Sequence, residues 1–239
     1  MTGLPTTTDT FYHGKVIIKQ LKKGYRFAVD SPILAAFLTR SAKPALEVGC
    51  GVGVVSLLAL QQKKFPAVTG IEIQEALFRL AVENGAANRF AGRFQAIHGD
   101  FIRIHAGIAN VHTIFCNPPF FKAGQGRVSP DETIRLARTE IALDLDGLLR
   151  GCAACLAPRG RLFLIYPFSR QRELLAAAAA CGLRAARFRP VQPFADSKPD
   201  RFLVQMGKAA GRCRQEAPLV LFKERGVYTP EMERILAGD

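Results

Sequence analysis

No run of about 18 uncharged apolar residues occurs in this chain, so a membrane-spanning helix is not expected. The opening MTGLPTTTDTFYHGK lacks a basic start followed by an apolar stretch, which argues against a secretory signal and for the cytoplasm. No linker divides the 239 residues and no internal repeat is visible, and 49% apolar residues suffice for one full core. Cys152 and Cys155 form a C-x-x-C, but no second C-x-x-C or H-x-x-H pair accompanies it, so no metal is expected. The six cysteines sit in apolar contexts and read as small buried residues. His13, His98, His105 and His112 have no paired acid and no ligand spacing; all four read as structural or surface residues.

Acids are also scarce. Against 33 Lys and Arg stand 20 Asp and Glu, for a net charge of +13. This predicts attraction to polyanions and says nothing of fold. Residues 13–43 and residues 184–214 each carry a net +6, so the excess is patchy. Two basic patches favour nucleic acid as the partner, and both segments are then expected to flank the cleft.

What is present is a regular alternation. ALEV, AVTGIEI, RFQAIHGD, VHTIFC and RLFLIYPF read as strands. VVSLLALQQKK, QEALFRLAVENGAAN, LDLDGLLRGCAACLA and RELLAAAAACGL read as helices between them, the last ended by Gly182. Such alternation predicts an α/β, Rossmann-like fold, a mostly parallel seven-stranded sheet with helices on both faces. RAARFRPVQPF and RFLVQMGK leave no room for a helix between them and predict an antiparallel hairpin at the sheet edge. Residues 1–10 read as a loose terminus, KVIIKQ and YRFAVD as a hairpin, and SPILAAFLTR as a helix with Ser31 as a candidate N-cap. The chain therefore reads as a single domain over 1–239, with an extension (1–44), a core (45–208) and a C-terminal segment (209–239).

The first core strand runs into Glu47-Val48-Gly49-Cys50-Gly51-Val52-Gly53. A dinucleotide fingerprint needs glycine at 54, where Val stands, so a nicotinamide or flavin dinucleotide is disfavoured. Glycines here still let the chain turn sharply and let a ligand lie against the backbone. Glu72 ends the second strand, where an acid can accept hydrogen bonds from both hydroxyls of a ribose. Asp100 ends the third, where it can accept from an adenine amino group. Three acids after successive strands mark the ligand-binding edge of an open α/β sheet. This E-x-G-x-G-x-G turn with its two following acids resembles the class I S-adenosylmethionine-dependent methyltransferases, over roughly residues 45–205. The resemblance implies S-adenosylmethionine as cofactor, held by Glu47, Gly49, Gly51, Gly53, Glu72, Ile73, Asp100, Phe101 and Asn117.

VHTIFC is followed by Asn117-Pro118-Pro119-Phe120, which resembles the [DNS]-P-P-[YFW] motif of amino-methyltransferases. An amino group conjugated to a ring or a carbonyl is a poor nucleophile, because its lone pair is delocalised. The Asn117 side-chain oxygen and the Pro118 carbonyl can each accept one of its N–H groups. Pro118 and Pro119 stiffen the turn, and Phe120 offers a flat face to a base. Asn117, Pro118, Pro119 and Phe120 are the expected catalytic group. The motif alone leaves adenine N6, guanine N2 and a glutamine amide open.

The flanks GYRFAVDSPILAAFL and LVLFKERGVYTPEMERIL, together with NPPFF, resemble the bacterial tRNA(Val) adenine-N6-methyltransferase family over residues 11–236. This implies tRNA as partner, methylation of the adenine beside the anticodon, and Asp30 and Ser31 as neighbours of the cofactor. Lys22, Lys23, Arg26 and Arg138 are the candidate RNA contacts. Phe120 replaces the Tyr of the enterobacterial form, so a phenol hydrogen bond is lost but stacking is kept. A glutamine-N5 protein methyltransferase and an enzyme for another RNA amino group are the alternatives; the first usually adds a separate N-terminal helical domain.

Overall fold

A computed structural model of the chain describes residues 5–22, 29–118 and 145–239. One sheet organises it. Strands β3 (Ala45–Val48), β4 (Val68–Glu72), β5 (Phe94–His98), β6 (Val111–Cys116) and β7 (Leu156–Pro167) lie in the order β5-β4-β3-β6-β7 and run parallel. β9 (Arg201–Gly207) pairs antiparallel with β7 and with β8 (Arg184–Gln192), as the sequence predicts. The sheet does not stop at seven strands. The short β10 (Arg214–Gln215) and β11 (Leu219–Val220) add parallel to β8 and give nine. They are too short for a periodicity to reveal.

Parallel strands are covered on both faces and read as unbroken apolar runs; all of Ala45–Val48 is buried. The sheet divides the core in two. Helices α1 (Asp30–Phe37), α2 (Val54–Gln61) and α3 (Glu75–Ala87) cover one face with the C-terminal α7 (Pro230–Ala237). The four-residue α4 (Phe101–Ile104), α5 (Leu145–Cys155) and α6 (Gln171–Ala180) cover the other. α2 is buried from Val54 to Leu60 because α1 and an N-terminal hairpin enclose it. Thr229 caps α7, its hydroxyl accepting from the Met232 N–H, with Pro230 in the first turn.

That hairpin differs from the one expected. β2 (Val16–Leu21) pairs with β1 (Thr6–Phe11), not with the segment that follows it. Residues 6–11 are thus a strand and not a loose end. YRFAVD lies largely outside the described residues. The outer edge of β2 is closed by two asparagines one turn apart, Asn84 on α3 and Asn88 at its C-cap. Asn88 exchanges hydrogen bonds with Ile17 N and O (2.7 and 2.6 Å), and Asn84 with Lys19 N and O (2.8 and 2.9 Å). Their amides stand in for the peptide groups of a neighbouring strand, which satisfies an otherwise open edge.

Candidate active site

β3 has β4 on one side and β6 on the other, so the connections leave this pair in opposite directions. Ligands of open α/β sheets bind at such a switch point, at the carboxyl ends of the strands. The register places Val48 opposite both Ile71 and Cys116, and Glu72 opposite His98. The residues after these four strand ends therefore share one edge.

The turn from β3 into α2 needs its glycines. Gly49, Gly51 and Gly53 have φ of 68°, 55° and 87°. Side chains other than glycine rarely adopt this region. A Cβ on Gly53 would also stand 3.1 Å from the Phe94 ring. Two acids fasten the turn. Glu47, 2% exposed, accepts at Oε2 from the Ser56 N–H (3.1 Å) and from the Ser56 hydroxyl, tying β3 to the first turn of α2. Burial raises its pKa to about 8. Glu72 accepts from the Gly51 N–H at Oε2 (2.8 Å) and from the Gln74 N–H at Oε1 (2.9 Å). Burial raises its pKa against the pull of those backbone N–H groups. Asn84 joins this assembly, donating to the Val52 carbonyl (2.9 Å) with the amide that also holds β2.

Beyond β4 and β5 the rim is partly apolar. Ile73 is 45% exposed, and its carbonyl lies 3.0 Å from His98 Nε2. The His98 ring stacks on Phe78 at 5.5 Å. Asp100 caps α4, accepting from the Ile102 N–H at 3.0 Å, and lies 3.4 Å from Arg103. The Phe101 ring turns away into the core, where a Cβ on Gly151 would press within 2.8 Å of it.

On the other side of the switch point, Asn117 follows β6. Its Oδ1 is buried and has no hydrogen-bond partner among the described residues. A buried acceptor without a partner costs free energy, so this oxygen is suited to a donor brought by a ligand. Pro118 is buried beside it. Asp30 opens α1 close by and accepts from Arg201 Nη1, while Arg201 also holds Asp200 at 3.0 and 3.1 Å. Arg201 pairs with Pro167 at the carboxyl end of β7, so this ion pair pins α1 over the same edge. Burial raises the Asp30 pKa and Arg201 works against it. Ser31 is buried next to Asp30.

Lys22 is exposed where β2 ends, and its N–H donates to the Pro5 carbonyl at 2.8 Å. Pro119, Phe120, Lys23, Arg26 and Arg138 lie outside the described residues. The basic segments do not simply flank the cleft. Lys198 and Arg201 lie toward the carboxyl edge, but Arg184, Lys208, Arg212 and Arg214 lie at the opposite end of the sheet. Among the described residues no group of three His, Cys, Asp or Glu is placed to hold a metal ion, and Cys152 and Cys155 are buried in α5.

Sequence reading passed over three residues that shape the site. Ser56 and Asn84 are polar positions buried in helices, at 0% and 1% exposure, and that mismatch was the available signal. Arg201 is one of the cations in the basic segment 184–214, and nothing local in the sequence sets it apart.

A sharp glycine turn, a carboxylate beside it on the next strand and an unpartnered amide oxygen across the switch point fit a ribose-bearing cofactor next to an amino substrate. Fold and site together define a class I methyltransferase dependent on S-adenosylmethionine. Residues 26–173 match the family described as methyltransferase small domain. A tRNA1(Val) (adenine(37)-N6)-methyltransferase of Porphyromonas gingivalis is 30% identical over 95% of this chain and 93% of its own. Another, from Aeromonas hydrophila, is 28% identical over 85% of each chain. A predicted O-methyltransferase from Agrobacterium tumefaciens has the same fold, with TM-score 0.66 at 20% identity over 87% of this chain and 95% of that one. The chain belongs to the methyltransferase small domain family and, within it, to the family of the tRNA1(Val) (adenine(37)-N6)-methyltransferases.

Proposed function

We propose that this enzyme methylates the exocyclic N6 of an adenine in a tRNA anticodon loop; the names of its relatives give N6 of adenine 37 of tRNA1(Val) for them. The observation that carries the reading is the buried, unpartnered Oδ1 of Asn117, one strand from the glycine turn. When bound, S-adenosylmethionine supplies a methyl group activated by a sulfonium. Gly49, Gly51 and Gly53 would let the backbone approach it, Glu72 would accept from its ribose hydroxyls, and Asp100 would accept from its adenine. Ile73 would lie along the adenine face, while the Phe101 backbone, Glu47, Asp30 and Ser31 would support this cradle. Asn117 Oδ1 and the Pro118 carbonyl accept the two N–H groups of the target amine from outside the ring plane. That pulls the nitrogen toward a pyramidal shape and frees its lone pair for in-line attack, so catalysis is largely positioning. The proton leaves to water after transfer. Phe120 stacks on the target base, and Pro119 stiffens the turn. Lys22, Lys23, Arg26 and Arg138 meet RNA phosphates. No described helix is long and apolar enough to cross a membrane, and work on tRNA belongs in the cytoplasm.

The test is labelled S-adenosylmethionine with purified protein and total tRNA from cells lacking the gene, followed by digestion to nucleosides. Label in N6-methyladenosine is the expected result. Label in protein extract with none in RNA overturns the tRNA reading in favour of glutamine methylation, and leaves the cofactor site standing.

A further inference from the structure

The end of the sheet remote from the cleft has its own chemistry. Its strands are entered or left through residues 38–44, 62–67, 88–93, 105–110, 156–161, 181–184 and 207–213. None of these connections contains an Asp or a Glu. They are rich in Lys and Arg instead, and the cations crowd one half of that end. Arg184 opens β8 opposite Gly207, and Gly207 in turn lies against Gly160, whose carbonyl a Cβ there would meet at 2.8 Å. Arg159, Arg184 and Lys208 therefore converge. Lys208 Nζ spans to the Leu156 carbonyl at 2.9 Å. Arg214, its side chain 77% exposed, pairs with Arg187 across β10 and β8, with Arg212 two residues before it.

Crowding bears on the neighbours' basicity. Burial and then Arg40 and Arg187 push Lys64 down to about 8, and burial and then Arg187 lower Arg161. Glu216 is the acid that answers them, bound to Arg187 at 2.8 Å and 3.8 Å from Arg214. Arg159, Arg184 and Arg212 are exposed. A folded chain gains nothing from gathering like charges, and a surface whose cations far outnumber the one acid that answers them fits a polyanion.

We propose that this surface, formed by the amino ends of β7, β8 and β10 and the carboxyl end of β9, is a second contact for the tRNA phosphate backbone. It rests on the tRNA reading above and adds a site about 20 Å from the methylation cleft, the length of a strand of about six residues. The target base enters at the carboxyl edge, and the RNA runs past the β8 side of the sheet to this end. Such a contact carries no sequence information; it fixes register and raises affinity.

The test compares the wild type with Arg159→Glu/Arg184→Glu/Arg212→Glu on full-length tRNA and on an anticodon-loop hairpin with a truncated stem. Methyl transfer kinetics and direct binding are followed over a range of salt. On full-length tRNA the variant is expected to raise KM about tenfold or more, with kcat and the KM for S-adenosylmethionine unchanged. The slope of log K against log salt should fall by about 2–3 for three lost phosphate contacts. Kinetics on the short hairpin should match the wild type. If the reversed charges prevent folding, the same three positions changed to Gln give the same reading at smaller size. An unchanged KM and salt slope on full-length tRNA overturn the surface alone, as does an equal loss on both substrates. Absence of methyl transfer from the wild type to any tRNA overturns both this contact and the proposed function.

Discussion

The carboxyl ends of β3 to β6 and the amino ends of the same strands are a few residues apart along each strand, yet they are built from different residues. At the carboxyl edge stand three glycines at positive φ, two buried acids and an amide oxygen without a partner among the described residues. Arg201 there is matched by Asp30 and Asp200. At the amino edge the connections hold no acid, and most of their charged side chains face solvent. One edge is organised by buried hydrogen bonds of fixed geometry, the other by long-range charge. Substitutions at the first should act on folding, cofactor and turnover. At the second they should act on RNA affinity and its salt dependence.

The largest difference should come from paired and unpaired arginines. Arg201→Met leaves Asp30 buried without its cation and should cost about 3–5 kcal/mol of stability, read by urea unfolding. The double change with Asp30→Asn should recover most of it. Arg212→Ala should stay within about 0.5 kcal/mol of wild type. Equal costs would erase the contrast drawn here.

Next in size is Asn117→Ala. Turnover should fall about 10²–10³-fold, the scale of losing one preorganised polar partner, while the dissociation constant for S-adenosylmethionine stays near wild type by calorimetry. A variant with wild-type kcat would refute the role given to this oxygen. Gly53→Ala puts a side chain at φ 87° and against Phe94. It should cost about 1–2 kcal/mol and weaken cofactor binding about tenfold, with kcat at saturation less affected.

The smallest effect concerns pH. Burial raises the Glu47 pKa to about 8, so the folded chain keeps a proton that the unfolded chain has released. Its contribution to stability is whole below the ordinary carboxyl range and is lost as pH rises through about 8. Glu47→Gln keeps an acceptor for Ser56 and carries no charge. The variant should melt about 2–4 °C above wild type at pH 9, roughly 1 kcal/mol for a chain of this size, and the gap should close by pH 5. A gap that is the same at both values would remove Glu47 as the titrating group.

The parallel core was legible because its signals are local. A buried strand running into a glycine turn, then a helix, needs only a dozen residues, and 45–61 spells it out. The antiparallel β8–β9 pair followed from the lack of room for a helix. What escaped notice depends on contacts distant in sequence. β1 is a polar Thr-rich strand with no apolar alternation, recognisable only through β2. Asn84 and Asn88 look like ordinary helix residues until β2 is laid beside them. Phe101 follows β5, but the direction of its ring is set by α5, fifty residues on. The charge count was right and its location was not, because residues 184–214 run up one strand and down the next and so populate both ends of the sheet.

β9 is the strand of the main sheet that runs against the others. The turn over residues 193–200 therefore reaches the cleft edge without a crossover helix, next to the Asp200–Arg201 pair that holds α1. A parallel connection must be long and packed, whereas an antiparallel one need not be. This loop can lengthen or change composition without disturbing the strands that carry the glycine turn, Glu72 or Asp100. It is the natural graft point for an engineer, or for descent, to alter which nucleic acid is modified while the cofactor half is inherited intact.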